Sequence, residues 1–271
     1  MALGLVSGLS WGVADFLGGL ASRRAAVLSV VALSQGVGLT LALAALVLIR
    51  PEVPPVREMA FGALAGLSGV IGLVAFYRAM SVGNMSLVAP LSALGAVVPL
   101  TVDLIAGRAP GPVALLGMLM ALGGAALAAR APGPASRRGV GLALLAALGF
   151  GGFFTLLALA ASTSALWSLA TARLGSAPLA VAIVLIVGGG LAMTGRTIVL
   201  VVASGALDAT ANLLFAAASQ HGLVSVVAVL GSLYPIVTVA LAGVILNERL
   251  GRLQAAGAGI ALAGVALIAA G

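Results

Sequence analysis

The apolar stretch SGALDATANLLFAAAS (204–219) contains one carboxylate, Asp208, and one amide, Asn212, besides its small hydroxyl residues. They are four residues apart, so in a helix they lie on the same face. An ionisable side chain in the middle of an apolar helix normally faces a bundle interior or a water-filled cavity. There the pair could contact a substrate or carry a proton, or it could form a fixed structural pair with a cation.

Two more charged residues lie within apolar segments. Arg173, in TARLGSAP (171–178), carries a planar set of N–H donors that fits a substrate carboxylate, and it could equally be the fixed partner of Asp208. Asp15 lies deeper in the first apolar segment than a helix cap would, so it either faces a cavity or reaches the head groups beside Arg23 and Arg24. Both residues are candidates for contact with a substrate.

Aromatic and small polar residues complete the set of candidates. Trp11 could form a cavity wall together with Tyr234, whereas Tyr77 and Arg78 could also act as an aromatic anchor with an arginine that reaches the head groups. Serines in apolar helices bond either across helices or to a substrate. The predicted substrate-binding or coupling residues are Trp11, Asp15, Tyr77, Arg78, Ser92, Arg173, Asp208, Asn212, Ser232 and Tyr234.

The composition of the chain predicts a membrane protein. Hydrophobic residues occupy 62% of the 271 positions and charged residues only 7%, which is more apolar surface than one soluble core could bury. Apolar runs of about 20 residues, enough to cross the hydrocarbon core, recur from end to end. We predict an all-α integral membrane protein with ten transmembrane helices. They lie at about 2–21, 28–49, 58–80, 84–106, 112–131, 138–161, 164–190, 197–219, 223–246 and 252–270.

The composition also argues against several functions. Cysteine is absent, so the chain has no disulfide, thiolate metal site or cysteine nucleophile. Its six acidic residues and one histidine form no catalytic or metal-binding array, so we expect no enzyme activity, cofactor or metal. The net charge of +7 comes from arginines, mostly at predicted helix ends, where they meet lipid head groups and not nucleic acid. The expected partners are the bilayer and a small-molecule substrate, and the chain could be a monomer or a homodimer.

The second half of the chain repeats features of the first at an offset of about 139 residues. The segment SLVAPLSAL (86–94) aligns with SVVAVLGSL (225–233), and the offset is nearly constant over most of the chain. A five-helix unit ends on the opposite side of the membrane from where it begins, so a second copy enters inverted, as in many secondary transporters. We therefore predict two inverted five-helix repeats, at 1–131 and 138–271, joined by a loop at 132–137.

The duplication also bears on the polar pair. The first copy has Gly69 and Leu73 at the positions that align with Asp208 and Asn212. The scaffold can therefore be built without a polar pair at this place, which makes Asp208 and Asn212 an addition specific to one half.

The end of the chain resembles a known family. The segment ILNERLGRLQAAGAGIALAGVALI (245–268) is similar to the close of an EamA domain in the drug/metabolite transporter superfamily, in which a short NERL-type turn joins the last two helices. The preceding VSVVAVLGSLYPIVTVALAGVIL (224–246) is also similar. The first copy departs from this pattern, because it has Arg108-Ala109-Pro110 where the second has Asn247-Glu248-Arg249.

The resemblance implies a secondary active transporter in the inner cell membrane that exports small metabolites such as amino acids by alternating access. Two alternatives stay open: a proton-coupled multidrug exporter of organic cations, with Asp208 as its membrane carboxylate, and a non-transporting structural or sensory membrane protein. No G-x-x-x-x-G-K-[ST] motif occurs, so we expect no direct nucleotide drive. The arginine distribution between loops predicts both termini outside the cell, whereas the resemblance implies the reverse.

Overall fold

The computed structural model describes residues 1–82, 91–92, 94–128, 139–193, 195–245 and 251–271. These residues form eleven α-helices and one 3₁₀ turn, with no strand among them. The helices are α1 (Ala2–Ser22), α2 (Val27–Ile49), α3 (Val56–Val82), α4 (Val97–Ile105), α5 (Pro112–Ala128), α6 (Val140–Ala160), α7 (Ala165–Ile186), α8 (Arg196–Ser219), α9 (Val224–Gly231), α10 (Tyr234–Ile245) and α11 (Arg252–Ala270), and the 3₁₀ turn is Leu94–Ala96.

The described helices are those of a multi-pass membrane protein. Six of them, α1, α2, α3, α6, α7 and α8, are long and apolar enough to cross a bilayer. Shorter apolar helices occupy the positions of the other four predicted spans, at α4 with its 3₁₀ turn, at α5, at α9 with α10, and at α11. The predicted connecting loop (132–137), the start of the fourth predicted helix (84–90) and the Asn247-Glu248-Arg249 turn lie outside the described residues.

Two predicted helices differ from the structure in ways that their sequences explain. The seventh, predicted to continue to 190, ends at Ile186 because Gly188 adopts a left-handed conformation with φ of +72°. The ninth is divided into α9 and α10 at Ser232 and Leu233. The division comes just before Pro235, which lacks the N–H that a continuous helix needs at that position.

Each long helix packs against a helix from the other half of the chain. α1 pairs with α8 and α3 pairs with α6, so the first helix of each half packs against the third helix of the other. The second helices, α2 and α7, pair with each other, as do the last helices, α5 and α11. The two halves therefore contact each other through all of these helix pairs.

The pair α5 and α11 shows the relation between the halves most clearly. A Cβ added at Gly117 would lie 2.6 Å from the carbonyl oxygen of Gly264, and one added at Gly264 would lie 2.6 Å from that of Gly117. Gly124 and Gly257 meet in the same reciprocal way, at 2.6 and 2.7 Å. The contacts run in opposite sequence directions, so α5 and α11 are antiparallel. Small residues at both crossings let the two backbones touch.

A second contact also occurs twice, at the aligned residues Gly12 and Gly151. A Cβ added at Gly12 would lie 2.8 Å from the carbonyl oxygen of Tyr234 and 2.4 Å from Val237 Cβ. A Cβ added at Gly151 would lie 2.4 Å from the carbonyl oxygen of Gly95 and 2.6 Å from Val98 Cβ. The offset of 139 residues relates both partners as well as both glycines, so the packing itself is repeated.

The two ends of the bundle differ in how they are held. We call the side on which α1 begins and α11 ends the terminal side. On this side the first half of α1 packs against the second half of α8, as shown by the hydrogen bond that Ser7 Oγ donates to Ala211 O at 2.8 Å. Also on this side, Asp103 at the end of α4 accepts a hydrogen bond from Ser225 N at the start of α9 (2.9 Å). Asp103 also forms an ion pair with Arg108 (3.1 Å). These contacts tie α4 to α9 at the terminal side.

Candidate functional site

The predicted polar pair lies in a hydrogen-bonded network midway along α8. Asp208 Oδ1 accepts hydrogen bonds from Trp11 Nε1 (3.1 Å) and Asn212 Nδ2 (3.3 Å). Asp208 Oδ2 accepts a charge-assisted hydrogen bond from Arg173 at 2.5 Å. The structure thus brings four of the predicted site residues together, from α1, α7 and α8. Both carboxylate oxygens are occupied by donors in this conformation.

The Arg173 guanidinium is almost completely enclosed, with its side chain 5% exposed. One terminal nitrogen binds Asp208 and the other binds Gln35 Oε1 on α2, which also accepts a hydrogen bond from Ser176 Oγ at 2.9 Å. A Cβ added at Gly38 would lie 2.9 Å from Arg173 Nε, so the glycine leaves the space that the arginine fills. Arg173 is therefore a fixed partner of Asp208 here, one of the two roles predicted for it.

Trp11, whose indole N–H bonds to Asp208, also packs against two aromatic rings. Its ring centroid lies 5.7 Å from that of Phe154 and 5.8 Å from that of Phe215, and these two phenylalanines stack at 5.1 Å. Phe215 is completely buried. The aromatic cluster of Trp11, Phe154 and Phe215 thus closes the bundle beside the network and orients the indole N–H towards Asp208.

The aligned position in the other half is apolar. Gly69 aligns with Asp208, and a Cβ added there would lie 3.0 Å from the ring of Phe153. Phe150 aligns with Trp11 and contacts Phe76 instead of a carboxylate, with ring centroids 5.9 Å apart. Two copies of one helix crossing therefore carry different side chains, an ion-paired network in one and packed phenylalanines in the other. The polar network is an asymmetric feature of a repeated scaffold.

Asp15 has a different environment from Asp208. It lies on the face of α1 that carries Gly8, Trp11 and Gly12, all of which are buried against other helices. Asp15 is nevertheless exposed, and so is Gly19 one turn further along the same face. A Cβ added at Gly19 would meet nothing within 4 Å. We call the open space beside Asp15 and Gly19, between Trp11 and the end of α1 at Ser22, the Asp15 cavity.

Asp208 is partly accessible as well. Its side chain is 27% exposed, although it projects from the centre of the buried face of α8 between Ser204 and Asn212, which are both buried. Asp15 lies one helical turn beyond Trp11, the residue of α1 that donates to Asp208, so the two carboxylates are neighbours. Among the described residues, Asp15 has no hydrogen-bond or ion-pair partner, so one of the two accessible carboxylates has a cation beside it and the other does not.

The remaining predicted residues lie around this centre or at its ends. Tyr234 begins α10 and packs against the buried cluster that contains Trp11, and Ser232 is buried in the break before it. Ser92 is buried just before the 3₁₀ turn. Arg78 is exposed near the end of α3, and the side chain of Tyr77 is outside the described structure. Their roles in binding stay predictions.

A cavity of about 260 Å³ opens at the terminal side, between the ends of α4, α6 and α8 and the start of α9. Asp103 and Arg108 line it. Its other polar side chains are occupied: Thr155 Oγ1 donates to Gly151 O and Gln220 Nε2 to Ala161 O. The Trp11 cluster and the buried Leu230 of α9 lie inward of these helix ends.

Comparison with known proteins gives one family and one fold. The sequence model of the EamA-like transporter family matches residues 1–130 and again 137–270. A solved structure described only as "Crystal structure of protein" superposes with a TM-score of 0.82 at 19% sequence identity, over 98% of this chain and 94% of that chain. At this identity the likeness concerns the fold alone. No curated protein is similar to the chain by sequence.

Proposed function

Because the chain belongs to the EamA-like transporter family, we propose that it is a secondary active transporter that exports small metabolites, such as amino acids, across the inner cell membrane. The observation that carries the proposal is the pair of accessible carboxylates, Asp15 on α1 and Asp208 on α8, located where helices of the two halves meet. In transporters built from two repeats, the substrate site typically lies near the midplane at the interface between the repeats.

The packing supports an inverted relation between the halves. The equivalent helices α5 and α11 run antiparallel, with reciprocal contacts between Gly117 and Gly264 and between Gly124 and Gly257. A two-fold axis in the membrane plane, passing between such a pair, relates one repeat to the other. Rocking of one repeat against the other about this interface exchanges an opening on one side for an opening on the opposite side.

The asymmetric ends of the bundle fit one state of that cycle. Asp15 and Gly19 are accessible towards the side on which α1 ends, whereas Trp11 packs in a buried aromatic cluster and Asp103 ties α4 to α9 at the terminal side. Export then requires the terminal-side closure to loosen as the other opening closes. A second candidate, exchange of organic cations for protons, is favoured by the unpartnered carboxylate of Asp15.

Transport is tested by flux into proteoliposomes that contain the full chain. A panel of amino acids and organic cations is measured with and without a pH gradient, alongside empty liposomes. We expect at least one compound to cross faster than in empty liposomes and to accumulate when a gradient is imposed. Flux of an amino acid supports the first candidate, and flux of a cation against protons supports the second. A panel with no flux at all contradicts both and favours a non-transporting membrane protein.

A further inference from the structure

We propose, resting on the transport function above, that Asp15 binds the positively charged nitrogen of the transported substrate. The ligand class assigned to the site is an organic ammonium, present in amines and in amino acids alike. Asp208, which lies nearer the middle of the bundle, instead serves with Arg173 as a fixed ion pair that shapes the cavity beside it.

The charged side chains around Asp15 are unevenly partnered. Two carboxylates, Asp15 and Asp208, lie near one guanidinium, that of Arg173. Arg173 is bound to Asp208 and Gln35, and none of the ion pairs among the described residues joins it to Asp15. The next cations along α1 are Arg23 and Arg24, at least eight residues away, which is about 12 Å along the helix axis. An ionised Asp15 therefore needs a counter-charge that the described side chains do not supply.

The two carboxylates also differ in their accessibility. Asp208 Oδ1 accepts hydrogen bonds from Trp11 and Asn212, and Asp208 Oδ2 accepts one from Arg173. A ligand would therefore have to displace a protein donor to bind Asp208. Asp15 is accessible from the cavity and has no such donor among the described residues. Gly19, one turn beyond, has nothing within 4 Å of an added Cβ, which leaves open space on the same face of α1.

Charge also sets the energetics of binding at Asp15. A carboxylate that has a second carboxylate nearby and no cation of its own is costly to keep charged unless a counter-ion or proton accompanies it. An ammonium that binds there gains a charge-assisted hydrogen bond, which is stronger than a neutral one. The uncharged alcohol of the same shape gains neither the charge interaction nor relief of that cost. The site should therefore select the ammonium over its neutral counterpart.

Binding of two matched pairs of probes tests this inference: n-butylammonium against 1-butanol, and 2-phenylethylammonium against 2-phenylethanol. Affinities are measured by calorimetry on the full chain in detergent, without any requirement for transport. We expect the wild-type chain to bind at least one ammonium at least tenfold more tightly than its alcohol. Asp15→Asn should lose this preference, whereas Glu52→Gln, which neutralises an exposed loop carboxylate, should keep it.

Asp15→Glu keeps the charge and lengthens the side chain, so it should retain the ammonium preference with a weaker affinity even if Asp15→Asn proves unstable. The inference is overturned if the wild-type chain prefers no ammonium, or if Asp15→Asn binds as the wild type does. It is also overturned if Asp15→Glu, correctly folded, loses all preference. These outcomes are separate from those of the flux assay: a chain that binds ammonium through Asp15 without moving it would lose its transport function, not its binding site.

Discussion

Replacing Arg173 by methionine is expected to lower the free energy of unfolding by about 3 kcal/mol, because it leaves Asp208 as an uncompensated charge inside the bundle. Methionine fills a similar volume, so the loss reports mainly the ion pair and the bond to Gln35. The partial exposure of Asp208 places the expected cost at the lower end of the range for buried pairs. Reversible unfolding in mixed micelles measures the difference.

The double variant Arg173→Met with Asp208→Asn separates a buried charge from lost packing. Asparagine keeps an acceptor for Trp11 and removes the charge, so the double variant should be more stable than Arg173→Met alone. Arg196→Met, at an exposed position at the start of α8, is the matched control and should change the free energy of unfolding by less than about 0.5 kcal/mol. A double variant as unstable as the sum of its single variants would show that the network is not an ion pair of the kind described.

Replacing Gly66 by alanine is expected to cost about 3 kcal/mol or more, because α3 and α7 touch at this residue and overpacking of a filled contact is costly. An added Cβ would lie 1.9 Å from the carbonyl oxygen of Ala172 and 2.9 Å from Ser176 N, and both are backbone atoms that cannot rotate away. Ser176 and Arg173 lie on the same helix, so the displacement would also disturb the network around Asp208. Thermal unfolding and the yield of monodisperse protein measure the effect.

Gly19→Ala is the matched control for Gly66→Ala. It places the same methyl group in a helix where nothing lies within 4 Å, and alanine favours a helix over glycine by up to about 1 kcal/mol. We therefore expect Gly19→Ala to be neutral or slightly stabilising. Equal effects of the two substitutions would contradict the close contact between α3 and α7.

The sequence predicts most of this architecture because the length and hydrophobicity of its apolar runs follow directly from the requirements of a bilayer. Apolar runs long enough for a bilayer indicated helices, and the family match over residues 1–130 and 137–270 agrees with the two repeats seen by offset. The break between α9 and α10 was harder to place, because Pro235 shows where a helix is weakened but not which residues leave it. Helix ends such as Ile186 depend on a glycine backbone conformation that composition does not specify.

The polar network was only partly visible in the sequence. Asp208 and Asn212 shared a helix face, and Arg173 was an evident partner because so few ionisable residues lie within helices. Their contacts with Gln35 and Ser176 depend on how α2 and α7 pack, which no spacing along the chain reveals. Ser176 follows Arg173 by three residues and so shares its helix face, a signal that could have found it. Gly38 gave no signal, because it contributes only empty space.

Asp15 shows what spacing leaves undetermined. The sequence placed it either in a cavity or among head groups, since its depth in the first helix fits both. The direction that it faces decides between them, and that direction follows from the close packing of Gly8 and Gly12 against α9 and α10. These contacts place the face of α1 that carries Asp15 against the bundle, and its role in binding stays a prediction.

The most direct test of alternating access is the reactivity of single cysteines towards a membrane-impermeant maleimide in nanodiscs, where both sides of the bilayer are open. The natural chain has no cysteine, so each variant carries one thiol. Gly19→Cys reports the open space beyond Trp11, and Leu230→Cys reports a buried position near the terminal side. Leu9→Cys, on the exposed outer face of α1, is the control for changes in labelling that do not depend on the two ends. We predict fast labelling at 19 and slow labelling at 230. Asp103→Ala, which removes the tie between α4 and α9, should raise the rate at 230 and lower it at 19 with no change at 9. Rates that stay constant, or that rise together at all three positions, would contradict alternating access between the two halves.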